Sequence, residues 1–290
     1  MTILLPSLAY GTALIALLFK SRQLTNDEAS EQARTAKSLP IQILLLLLLL
    51  VHGIALQSSI FTSSGFIFGF AQALSLMAWV GVAFYWIENW VVPLRGMLIL
   101  VLGMATVFSF FPAIFPGSVL SDRATHSVWF KLHFFVANAA YGLMSLAALH
   151  AILMSWQDKK LRHHRPSSQM GFVQSILFGS GSGWMDKLPP LMTMERVLFS
   201  LLRVGFALLT LTVFSGVFFT QLLFGKPLIF DHKTIFALAS WVMFGGLLLA
   251  RWRSGMRGLQ ALRWVLGAFI VLMLAYVGSR FVLEVLLHRA

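Results

Sequence analysis

The sequence has 290 residues, of which 58% are hydrophobic, only 11% are charged and none is cysteine, and its formal net charge is +12. Soluble domains carry about 25% charged residues, so this composition excludes an ordinary water-soluble domain and indicates helices in a lipid bilayer. The lack of cysteine excludes disulfides, thiolate metal sites and covalent c-type haem attachment to this chain.

In chain order, the apolar stretches predict an all-α, polytopic bundle of about eight transmembrane helices in one domain. A bilayer core about 30 Å thick is crossed by about 20 apolar residues of helix. The first stretch has no basic residues ahead of it, so we expect it to be a retained helix and not a cleaved signal peptide. The predicted helices span residues 3–19, 39–56, 66–86, 92–112, 128–156, 197–223, 234–250 and 262–287.

Basic residues predict the orientation of the bundle. They concentrate in the odd-numbered connections, for example at Lys159, Lys160 and Arg162, whereas the even connections hold few, such as Arg123 and Lys226. Because Lys and Arg in short loops stay in the cytoplasm, we expect both termini to be extracytoplasmic, in a bacterial inner membrane. In such a chain the positive charge serves topology and contact with lipid headgroups, and no nucleic-acid partner is expected.

The longest connection, residues 157–195, is predicted to be a cytoplasmic loop. It is basic at its start, rich in Gly and Ser around Gly179–Gly183, and contains Pro189 and Pro190, a composition typical of a flexible linker. A loop of this kind favours an alternative function for the chain, as a regulatory or scaffolding membrane protein that binds a partner through it.

Two histidines stand out because ionisable residues inside a membrane are default functional candidates. His52 lies near the outer end of the second predicted helix and His133 near the outer start of the fifth, so both are roughly 8 Å below the outer surface at 1.5 Å per residue. Matched depth on non-adjacent helices predicts that both ligate one metal centre, as haem iron is often ligated by histidine. Two separate structural histidines, each bonded to a neighbouring helix, are the alternative.

Other polar residues on the same side are further candidates. Arg280 on the last helix can contact a haem propionate or pair with Glu284 one turn away. His232 and His288 flank helices on the outer side, where they are candidates for a second contact with haem, although loop histidines are also ordinary.

Four segments resemble the cytochrome c assembly protein family, the CcsA/CcmC/HemX-like haem-handling membrane proteins, and in particular its YpjD-like inner-membrane branch. The likeness covers about residues 128–287, and more weakly residues 51–56. The segments are Lys131–Phe135 with Ala140 and Tyr141; Leu188–Arg196; Phe230–Thr234 with Ser240, Trp241 and Arg251–Arg253; and Ala275–Arg280.

The resemblance implies a helix bundle that binds haem b through histidines and assists cytochrome c biogenesis, with cytochrome c maturation proteins as partners and no chemistry of its own. His133 falls where the first external histidine of the family lies, His52 matches a helix histidine of the YpjD-like branch, and His288 is near the second external histidine. Haem and the lipid bilayer are therefore the expected ligand and environment.

The segment between the sixth and seventh helices departs from the family. Family members cradle haem with a tryptophan-rich external segment that ends in Trp-Asp. Here only Asp231 and Lys233 match the end of that segment, and its tryptophans are missing. Tryptophans there supply flat stacking surface for a porphyrin. We therefore expect haem binding to be kept and the delivery of haem to be the step that the missing tryptophans affect. A small-solute transporter is a further alternative, which the lack of an acidic residue in mid-membrane disfavours.

Overall fold

The computed structural model describes residues 3–23, 39–62, 65–91, 95–120, 127–162, 190–224 and 232–287. Within this part of the chain it confirms the helical, polytopic bundle. The helices are α1 (Leu5–Gln23), α2 (Leu39–Ile60), α3 (Phe70–Val91), α4 (Arg95–Ile114), α5 (Val128–Arg162), α6 (Leu191–Phe224), α7 (His232–Ser254) and α8 (Gly258–Leu286).

Seven of these eight helices are long and apolar enough to cross a membrane, and the apolar part of α1, Leu5–Phe19, is shorter. The outer faces of the helices expose leucine, isoleucine and phenylalanine, such as Leu47 and Ile54 on α2. Since lipid is the solvent for such side chains, exposed apolar surface all around the bundle is what a membrane-spanning fold requires.

Helices α3 and α5 form the centre of the bundle. Two thirds of each apolar span, 67%, is buried inside the protein. Their contact depends on small residues: Gly142 on α5 lies against Val80 on α3 so closely that a Cβ at this position would overlap the valine side chain. Small residues let helix backbones approach in membranes, where packing replaces the hydrophobic drive to associate. Around this centre α5 also packs on α6 and α8, and α4 packs on α1 and α3.

A short antiparallel sheet lies at one end of the bundle, which we call the sheet end. Its strands are β1 (Phe61–Thr62), β2 (Gly65–Phe68) and β3 (Ser118–Leu120), in the order β1-β2-β3. In the register of β2 with β3, Phe66 is paired with Leu120 and Phe68 is paired with Ser118. The sheet was not expected from the sequence.

The predicted third helix, residues 66–86, therefore begins too early, since residues 66–68 belong to β2 and the helix starts at Phe70. A continuous apolar run does not separate a short strand from a helix end. The backbone conformation favours strands here. Gly65, at the start of β2, has a positive φ of 127°, and Gly117, just before β3, has a φ of 80°. Both conformations are readily available only to glycine.

The long connection is shorter than the predicted loop of residues 157–195. Helix α5 continues to Arg162 and α6 already begins at Leu191, directly after Pro190. Hydropathy detects only the apolar part of a helix, so it misses polar turns that extend beyond the membrane, and proline is favoured at a helix start. The remainder of the predicted loop lies outside the described residues.

The last helix, α8, changes its winding near the sheet end. After the α-helical stretch Gly258–Met273, two π-helical segments follow, Leu274–Gly278 and Val282–Leu286. They contain Tyr276 and Glu284, with Arg280 between them. π-helical segments are rare in proteins, and those that do occur are frequently found at functional sites. Their presence makes this end of the bundle a candidate for function.

Candidate functional site

His52 on α2 is completely buried and has a partner on each side of its ring. Its Nδ1 lies 3.2 Å from the hydroxyl of Tyr10 on α1, and its Nε2 lies 2.9 Å from the hydroxyl of Ser75 on α3. A neutral imidazole has one N–H donor and one acceptor nitrogen, and both are occupied here. Ligation of a metal through His52 requires one of these two hydrogen bonds to be given up.

His133 on α5 is held differently. Its Nδ1 lies 2.7 Å from the hydroxyl of Ser215 on α6, and the side chain is only partly buried. The Ser215 hydroxyl also lies 3.2 Å from the carbonyl oxygen of Thr212, to which it can donate. Ser215 makes both hydrogen bonds at once when it accepts from Nδ1–H of His133. In that tautomer Nε2 carries the lone pair, the form of histidine that ligates metals.

The described contacts give His52 and His133 no common partner. His52 ties α1, α2 and α3 together, whereas His133 joins α5 to α6. Among the described residues, no group of three or more histidine, aspartate or glutamate side chains is arranged to hold a metal ion. The described residues therefore do not supply enough side-chain ligands for a metal ion on its own. Haem iron, in contrast, is already bound by four porphyrin nitrogens and takes only one or two further ligands from the protein. A single centre shared by the two histidines remains a prediction.

Arg280 and Glu284 form the pair that their spacing predicts. A guanidinium nitrogen of Arg280 lies 3.7 Å from Oε1 of Glu284. The other carboxylate oxygen of Glu284 accepts a hydrogen bond from the backbone N–H of Phe70 at 3.3 Å, at the first residue of α3. A carboxylate is favourable at a helix N-terminus, where backbone N–H groups have no partner within the helix. Glu284 thus fastens α8 to the start of α3, and its charge is already engaged.

Two cationic side chains converge on Tyr276. The Lys233 ammonium on α7 lies 6.0 Å from the centroid of the Tyr276 ring, and Arg280 interacts with the Tyr276 hydroxyl. The Nε of Arg280 is buried without a hydrogen-bond partner in the described part of the chain. Glu284 is the acidic side chain that pairs with Arg280 in this part of the structure.

The remaining predicted site residues are only partly covered. His232 is exposed at the first residue of α7. Asp231 and His288 lie outside the described residues. The structure therefore places His133, Arg280 and Lys233 toward the sheet end and leaves the contributions of Asp231 and His288 as predictions.

A phenylalanine cluster at the sheet end was missed by sequence reasoning. Phe66 and Phe68 on β2 meet Phe130 and Phe134 on α5, with ring centroids 5.6 Å apart for Phe66 and Phe134 and 4.7 Å apart for Phe68 and Phe134. Phe68 also lies 5.9 Å from the Tyr276 ring. Phenylalanines are ordinary lipid-facing residues in an apolar sequence, so their convergence was hidden without the sheet.

A buried contact between a histidine and a carboxylate was also missed. His150 on α5 is completely buried and its Nε2 lies 3.0 Å from a carboxylate oxygen of Glu88 on α3. The packing of α3 against α5 brings these two residues together. The pair links the two central helices, away from the predicted haem residues.

Comparison with known proteins identifies the family. A family model described as cytochrome C assembly protein matches residues 41–287. The similarity therefore includes α2 and the His52 region as well as the C-terminal half. No solved structure matches the chain significantly.

Several curated proteins are similar over large parts of the chain. An uncharacterized 28.8 kDa protein of Azospirillum brasilense is 36% identical over 172 residues, which is 59% of this chain and 58% of that protein. Inner membrane protein YpjD of Escherichia coli is 28% identical over 155 residues, 53% of this chain and 52% of that protein. Cytochrome c biogenesis protein CcsA of a Synechococcus strain is 23% identical over 288 residues, covering 95% and 91%. The chain thus matches little more than half of the length of the first two relatives.

Proposed function

The chain belongs to the cytochrome c assembly protein family, and from this premise we propose that it binds haem b within the membrane and assists cytochrome c biogenesis, without chemistry of its own. Haem is its cargo. The membrane-spanning helices and the inner-membrane name of the Escherichia coli relative support a multi-pass protein of the inner membrane. The name of the Synechococcus relative supports the link to cytochrome c biogenesis.

The observation that carries this proposal is the hydrogen bond between His133 and Ser215. We take the hydrogen of His133 to lie on Nδ1, where it bonds Ser215, so that Nε2 carries the lone pair. Partners of this kind fix the ring and raise the basicity of a ligating histidine. By its resemblance to the family, the sequence also puts His133 where the first external histidine of the family lies. We therefore assign the iron ligand to Nε2 of His133.

The cationic group around Tyr276 is suited to the other end of haem. Haem carries two propionate carboxylates, which cations stabilise by charge-assisted hydrogen bonds. Arg280 and Lys233 provide two cations from two helices, and Arg280 has a buried N–H without a partner among the described residues. Asp231 and His232, at the start of α7, and His288, after the end of α8, belong to the same proposed site by their position in the chain.

A deletion strain tests the role in cytochrome c biogenesis. We expect cells that lack the protein to contain less haem-stained c-type cytochrome, and wild-type protein to restore it. His133→Ala should fail to restore it at equal protein abundance, whereas Ser155→Ala, which removes a hydroxyl that bonds the Ala151 carbonyl at the other end of α5, should restore most of it. Normal levels of c-type cytochrome in the deletion strain would contradict a role in their biogenesis.

A further inference from the structure

We infer that the phenylalanines of β2 and of the first turns of α5 form the hydrophobic contact surface for the porphyrin ring, in the place of the tryptophans that this chain lacks. The phenylalanine surface is defined by Phe66, Phe68, Phe130 and Phe134. This inference rests on the proposed function, since it names how the same site contacts its ligand.

The geometry of the phenylalanine surface is built by the short sheet. Phe66 and Phe68 are two residues apart on one strand, so their side chains lie on the same face. Their rings are close to parallel, 21° between planes with centroids 5.7 Å apart. Phe130 and Phe134, one helical turn apart on α5, are also close to parallel, 20° and 6.2 Å. The two pairs meet edge to face, at 81° for Phe66 and Phe134.

This arrangement makes a rigid aromatic surface that is not wholly enclosed. Phe68 is buried, with 3% of its surface exposed, and anchors the group against α2 and α3. Phe66, Phe130 and Phe134 stay partly exposed. Edge-to-face contacts hold each ring in a defined orientation, so the surface is formed before any ligand arrives and loses little side-chain freedom on binding.

The phenylalanine surface lies between the two polar parts of the proposed site. His133 directly precedes Phe134 in α5 and comes three residues after Phe130, so all three lie in the first two turns of the helix. On the other side, Phe68 contacts Tyr276, which receives Lys233 and Arg280. An imidazole ligand, an aromatic surface and a cationic group in this order match the iron, the ring and the carboxylates of one haem molecule.

Contact with lipid does not explain why a sheet is present in this part of the fold. Phenylalanine side chains can face lipid without a strand, without positive-φ glycines and without fixed angles between their rings. Here Gly65 and Gly117 permit the turns that bring β2 and β3 together, and β2 places two rings against α5. Aromatic rings supply flat, apolar area for a planar ligand, which is the role expected of the missing tryptophans.

Two probes test the inference: hemin, and metal-free protoporphyrin IX, which has the ring and carboxylates but no iron. Phe66→Leu and Phe130→Leu keep the apolar character and most of the volume while removing a ring. We expect each to weaken binding of both probes about tenfold. His133→Ala should weaken hemin binding and leave protoporphyrin IX binding unchanged, because the imidazole contacts only iron. Phe111→Leu is the matched control, since Phe111 is partly exposed and stacks on Phe115 in a separate aromatic cluster.

The outcomes separate this inference from the proposed function. Hemin binding that depends on His133 but is unchanged in Phe66→Leu and Phe130→Leu would overturn the inference and leave the proposed function standing. Equal weakening by Phe111→Leu would also overturn it, because the effect would then be a general loss of packing. A wild-type protein that binds neither probe would overturn both. Thermal unfolding of each variant in detergent shows that only folded protein is compared.

Discussion

The hydroxyl of Ser215 lies 2.7 Å from Nδ1 of His133 and 3.2 Å from the carbonyl oxygen of Thr212, to which it can donate. Ser215 makes both hydrogen bonds at once when the hydrogen of His133 lies on Nδ1. His52 lacks such an arrangement, because both of its nitrogens face hydroxyl groups, on Tyr10 and Ser75. The two histidines that the sequence groups together thus differ in what they can offer to a metal.

Removing the Ser215 hydroxyl should weaken haem binding without removing the ligand. Partners that orient a ligating histidine are worth about 10–100-fold in metal affinity, so we expect Ser215→Ala to raise the hemin dissociation constant within that range. Ser155→Ala is the control, because among the described residues the Ser155 hydroxyl bonds the Ala151 carbonyl of its own helix. A hemin titration followed by the Soret band measures both variants, and equal affinities for the two would count against the orienting role.

His52→Ala should act on stability. The substitution leaves the hydroxyls of Tyr10 and Ser75 without their buried partner, which costs about 1–3 kcal/mol for each unsatisfied group. We expect a lower midpoint of thermal unfolding in detergent and an unchanged haem content per folded molecule. If His52 and His133 instead share one centre, each single variant loses or alters the haem spectrum and the double variant is little worse than either, because residues of one site do not add independently.

Gly69→Ala should disturb the join between α3 and α8. A Cβ at Gly69 would lie 2.7 Å from Oε2 of Glu284 and 3.0 Å from the Cα of Gly117. Crowding of this kind costs about 1–3 kcal/mol. Gly103→Ala is the matched control, since nothing lies within 4 Å of its Cβ, and in a helix it should stabilise by up to about 1 kcal/mol. Opposite shifts in the unfolding midpoint are expected, and a neutral Gly69→Ala would refute the close contact with Glu284.

The orientation of the bundle is tested by reporter fusions. Fusions after residue 25, in residues 163–189 and near residue 257 should report the cytoplasm, and fusions near residue 120, near residue 228 and at the C-terminus should report the outside. The physical reason is the excess of lysine and arginine in the first group of connections. A cytoplasmic C-terminus would contradict the orientation and would place the sheet end and the proposed haem site on the inner side.

The sequence predicted the bundle because apolar runs of membrane length are a strong signal, and it predicted the Arg280–Glu284 pair because i,i+4 spacing on a helix determines proximity. It did not predict the sheet, since Phe66-Ile67-Phe68 continues directly into the apolar run of α3. Nor did it predict the contact of His150 with Glu88 or the hydrogen bonds of His52 and His133, because these depend on the rotation and height of neighbouring helices. Composition and spacing contain no information on either.

The absorption spectrum of the purified protein in detergent tests the central claim most directly. We expect wild-type protein, as purified or after addition of hemin, to show a Soret band that shifts on reduction, and His133→Ala to lose or alter that band at unchanged folding. A colourless wild-type protein that also takes up no hemin would contradict haem binding. An identical spectrum in His133→Ala would contradict the assignment of His133 as the iron ligand.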